Sequence, residues 1–101
     1  MQMPNKKEIS DFAMDCYNHE SGRRKAIDEG IMTMEEFSIY HYINAWTNRN
    51  ISYYEGLQGV AFEFAYNETF QKAFRVATKV YNINEATARK IHDKVRRIPK
   101  K

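Results

Sequence analysis

Ten of the chain's sixteen lysines and arginines fall after residue 68, in TFQKAFRVATKVYNINEATARKIHDKVRRIPKK, where only Glu85 and Asp93 oppose them. Residues 69–101 therefore carry +8. Residues 1–68, with six bases against eleven acids, carry −5, which leaves the +3 of the whole chain. A cationic end on an anionic body suits a polyanionic partner such as nucleic acid. The competing account is that the acidic part covers the basic part, within the fold or in a neighbouring subunit.

The other residue types that could do chemistry are sparse. His19, His41 and His92 are scattered over three segments, and Cys16 is the single cysteine. A structural zinc site needs about four convergent ligands, so no metal is expected. Cys16 falls on an apolar stripe, where a buried inert thiol is expected rather than a nucleophile. Glu35, Glu36 and His41 are of the right types for acid–base work, but adjacent carboxylates point apart on a helix. No glycine-rich phosphate loop is present. The residues predict no enzyme, no catalytic group and no cofactor.

What must position the cations is a pair of helices. Phe70, Ala73, Phe74, Ala77 and Val80 recur at helical spacing, as do Ala88, Ile91, Val95 and Ile98. Tyr81-Asn82-Ile83-Asn84 separates the two runs. Asn84 is a good N-cap, since its side-chain oxygen can accept from free amides of the next turn. Asn82 stands where the turn needs a left-handed residue, which Asn tolerates. Two helices, a tight polar turn and two inward stripes describe a helix-turn-helix.

With that stripe inward, Ala86, Arg89, Lys90, Asp93, Arg97 and Lys100 face away and Arg96 lies at the flank. A helix entering a major groove needs side chains for base edges near its start and cations farther along for phosphates. Arg89 and Lys90 are placed for guanine, and Thr87 or the methyl of Ala86 for thymine. Arg96, Arg97, Lys100 and Lys101 suit the phosphate backbone, with Arg75 and Lys79 on flanking phosphates. Arg89–Asp93 and Asp93–Arg97 are also i,i+4 pairs that support a helix without any ligand. Single-stranded bases stacked on the tyrosines are a weaker variant, because most of those rings fall on packing stripes.

The segment from Ala77 to Ile91, ATKVYNINEATARKI, resembles the helix-turn-helix of many DNA-binding regulators. It departs from their pattern at Asn82, where glycine is usual, and at Thr78, where alanine is commoner. The resemblance spans residues 69–98 and implies double-stranded DNA as partner and transcription regulation as role.

Upstream, Asn5 can cap a helix in which Ile9, Phe12, Ala13 and Cys16 point inward. Ser21-Gly22 suggests a break before a short helix from Arg23 to Glu29, stopped by Gly30. Arg23-Arg24-Lys25 is a local basic run, expected to be solvated. Thr33 and Glu36 have capping-box spacing, so a helix starts at Met34 and runs to about Asn48. Its apolar residues occupy more than one face, which suits a central helix. The sharper alternative is a homodimer through the Met34–Trp46 helix, with Ile39 outward. Ser52 and Glu55 repeat the capping spacing, and Tyr53, Leu57, Val60, Ala61 and Phe64 form a stripe. Gly56 and Gly59 would lie inside that helix, allowing another backbone to approach. Asn67-Glu68 marks a kink or a new cap.

Seven tyrosines, six phenylalanines and one tryptophan supply core, while two prolines and four glycines enforce few breaks. One domain over residues 1–101 is expected, all-α, a compact bundle of about four to six helices ending in the hairpin. It divides into an acidic helical body, 1–68, and a basic segment, 69–101. The lone cysteine and the lack of a signal peptide or membrane-length apolar run predict a cytoplasmic protein with no membrane partner. A rival function from another class is a small regulator or inhibitor, phage-type, that docks on a larger host or nuclease complex. Under it the hairpin is only a packing motif.

Overall fold

A computed structural model describes residues 3–51 and 56–101, and these form five helices and no strand. They are α1 (Lys6–His19), α2 (Ser21–Asp28), α3 (Met34–Ile51), α4 (Gly59–Tyr81) and α5 (Glu85–Arg97). None is long and apolar enough to cross a membrane.

Side-chain caps start the helices where the sequence has them. Asn5 accepts from the amides of Lys7 and Glu8 at the head of α1. Thr33 and Glu36 close a reciprocal box: the Glu36 amide donates to Thr33 Oγ1 at 3.0 Å, and the Thr33 amide to Glu36 Oε1 at 2.9 Å. Two orphan donors are thereby satisfied at one helix end.

α3 is the central element, packed against α1, α4 and α5. Phe37, Ile39, Tyr42, Ile43 and Trp46 are each no more than 1 % exposed, while Met34, Tyr40 and Ala45 are half-buried. Burying each such side chain contributes about 1.5–3 kcal/mol. Ile39 is therefore core rather than outward. α3 also continues through the expected break at Asn48-Arg49-Asn50. Thr47 Oγ1 donates to the Ile43 carbonyl and Asn50 Nδ2 to that of Trp46, so these buried polar groups are satisfied by the helix itself.

Other boundaries differ too. Ser52, Tyr53 and Glu55 lie outside the described residues. Gly56 lies in the turn before α4 and Gly59 is its first residue: they have φ +92° and +60°, with open space beside them rather than another backbone. Asn67-Glu68 is neither kink nor cap, because α4 runs unbroken past it, with Thr69 Oγ1 bonded to the Ala65 carbonyl. Ser21 and Gly22 already belong to α2, and Glu20 alone makes the corner. Gly22 is needed there: its amide donates to the Lys100 carbonyl at 2.8 Å, and a Cβ would fall 2.3 Å from the Pro99 oxygen. Arg23 is not solvated but buried, bonded to Glu20 and to the Ile98 carbonyl. Phe12, expected inward, is exposed.

The first ten residues of α4, 59–68, bury only Ala65. A helix of this length spans about 34 Å, and its amino-terminal half overhangs the body. Val60 and Phe64, expected on an inward stripe, are 82 % and 65 % exposed.

Candidate nucleic-acid interface

The hairpin of α4 and α5 forms as its residue types require. Asn82 ends α4 in the left-handed conformation (φ 54°, ψ 51°), and its amide donates to the Thr78 carbonyl. Ile83 N–H shares that acceptor at 3.2 Å. Asn84 then caps α5, its side chain accepting from the Thr87 amide at 2.7 Å. Ala73, Phe74 and Ala77 of α4 and Ala88, Ile91 and Val95 of α5 are buried in the common core.

That packing turns a cationic face outward. Ala86, Lys90, Arg96 and Arg97 of α5 and Arg75 and Lys79 of α4 are exposed, and Thr87 is half-buried. Lys79 and Lys90 make no ion pair among the described residues. Four arginines share two acids: Glu85 lies 3.3 Å from Arg89 and 3.7 Å from Arg75, while Asp93 lies 2.7 Å from Arg96 and 3.0 Å from Arg97. The network keeps a net positive charge, and exposed pairs of this kind hold by only about 0–1 kcal/mol each. The bond from Arg96 and the charge of Arg97 keep the Asp93 carboxyl below the usual range, so it is ionised and matched rather than a bare repulsive charge.

Two residues are placed otherwise than expected. Arg89 does not pair with Asp93 or stand free for a base edge: both Nε and Nη2 reach Glu85, and the guanidinium lies 4.5 Å over the Phe74 ring. Lys100 lies beyond the end of α5, and its carbonyl and side chain belong to the α1–α2 corner.

Behind the face, His92 is buried among Tyr40, Phe70 and Phe74, with Nε2 2.8 Å from Asn44 Oδ1. Its pKa is pushed down to about 4 by burial and by Arg96, so it is neutral and structural near neutral pH. Phe62, Tyr66, Phe70 and Phe74 follow one another at i,i+4 along α4, ring to ring, from the overhang to the edge of α5.

A second cluster is invisible to the spacing of histidines. Cys16 and Glu20 of the α1 end meet His41 of α3 across a cavity of about 320 Å³. The only local signal is that Cys16 and Glu20 stand four residues apart; the third member comes from tertiary packing.

Compared with protein-family models, curated proteins and solved structures, the chain matches none.

Proposed function

We propose that the chain is a small DNA-binding regulatory protein that docks α5 in the major groove of a duplex. The observation that carries this reading is the outward face of the α4–α5 hairpin, where Lys79 and Lys90 make no ion pair among the described residues and four arginines share two acids. Lys90, with Ala86 and Thr87 beside it at the start of the helix, is the group that reaches base edges. Arg75, Lys79, Arg96 and Arg97 hold phosphates, and Arg89, clasped by Glu85, stiffens the helix start rather than reading sequence. Such a protein works in the compartment that holds the DNA, the cytoplasm in a cell without a nucleus. The test is selection of preferred sites from a random duplex pool. Lys90→Ala broadens the selected site, whereas Arg97→Ala weakens all sequences alike. A Lys90→Ala protein that selects the same site removes Lys90 as reader.

One observation favours a second reading, a regulator or inhibitor docking on a larger protein complex, phage-type in kind. Leu57, Val60, Phe62, Phe64 and Tyr66 form an exposed apolar stretch on and beside the α4 overhang, and such patches mark protein interfaces. Under it, a complex purified from the native host survives nuclease digestion and is lost with Phe64→Glu.

A further inference from the structure

The α1–α2 corner carries a site independent of the basic face. Cys16 and Glu20 stand one helical turn apart, and α3 crosses beside them to contribute His41. The Cys16 sulfur, a carboxylate oxygen of Glu20 and a ring nitrogen of His41 all lie within 4.8 Å of one another. Packing explains a buried thiol, and Arg23 explains Glu20. Neither explains His41, which is only 9 % exposed and whose buried Nε2 has no hydrogen-bond partner. Buried polar atoms are nearly always satisfied, so an imidazole that lines a cavity with a thiol and a carboxylate and keeps an unpartnered nitrogen asks for a ligand.

We infer that Cys16, Glu20 and His41 bind one zinc-class divalent ion, with a fourth coordination position open to water. Thiolate, imidazole and carboxylate are a borderline-soft donor set that suits zinc and disfavours magnesium or calcium. Arg23 Nη1 holds Glu20 Oε1 at 3.0 Å, which orients the carboxylate. Binding replaces the proton of the free Cys16 thiol: the S–H bond breaks, the sulfur–metal bond forms, and one proton leaves to solvent for each ion taken up. None of the α5 residues lines this cavity, so this inference and the DNA reading fail separately.

The probe is Co²⁺, titrated into the metal-free full chain and then displaced by Zn²⁺. The expected result is one ion per chain, a thiolate-to-cobalt charge-transfer band with tetrahedral visible bands, and bleaching by zinc but not by magnesium. Cys16→Ala abolishes the charge-transfer band and lowers affinity by more than about 100-fold, since even outer partners cost 10- to 100-fold. His41→Gln weakens binding strongly with the helical circular dichroism retained. A native chain without a thiolate–cobalt band overturns the site even if the variants fail to fold. So does binding that is unchanged in both variants.

Discussion

Lys94 of α5 places its Nζ 2.9 and 3.0 Å from the two carboxylate oxygens of Glu36, the residue that also closes the capping box of α3. One carboxylate thus serves a helix start and an interhelical tie, and it links the proposed DNA-reading helix to the central one. Burial acts to raise its pKa, but Lys94 and Thr33 outweigh it and hold the carboxyl below the usual range.

Glu36→Ala removes the cap and the tie together, and we expect destabilisation of about 1–3 kcal/mol. Glu36→Gln keeps the amide acceptor and costs less. Urea unfolding monitored by circular dichroism gives both numbers, and equal effects of the two substitutions contradict the dual role.

Asn82 sits at φ 54°, where a β-branched side chain is strained. Asn82→Val should cost about 1–3 kcal/mol, while Asn82→Gly changes stability by less than about 1 kcal/mol. Thermal melts of the two variants settle the sign. If valine is tolerated as well as glycine, the left-handed residue is not what ends α4.

His92 makes stability depend on pH. Its folded pKa is about 4 against an ordinary 6.5. Between those values the unfolded chain binds the proton and the folded chain does not, so stability rises with pH. The contribution is complete above about pH 6.5 and is lost as pH falls toward 4. His92→Gln flattens the pH slope in that window by up to one proton, about 1.4 kcal/mol per pH unit. An unchanged slope would place the titration elsewhere.

The hairpin was legible because its signals are local: Asn82, Asn84 and two stripes within thirty residues specify helix, turn and helix. The Thr33–Glu36 box was legible for the same reason. The length of α3 was not, because Asn48-Arg49-Asn50 looks like a break until Thr47 and Asn50 are seen bonding back to their own helix. Glycines 56 and 59 serve the positive φ of the turn and the first residue of α4, not a close contact with another backbone. Long-range pairs such as Arg89 over Phe74, Lys94 with Glu36 and His41 beside Cys16 depend on how helices cross, which periodicity does not encode.

Duplex affinity measured across salt concentration tests the central claim most directly. With Arg75, Lys79, Arg96 and Arg97 on phosphates, log affinity should fall against log salt with a slope of roughly −3.6, and Arg97→Ala should reduce its magnitude by about 1. No complex with duplex at about 50 mM salt, or an affinity indifferent to salt, contradicts a nucleic-acid role for this face.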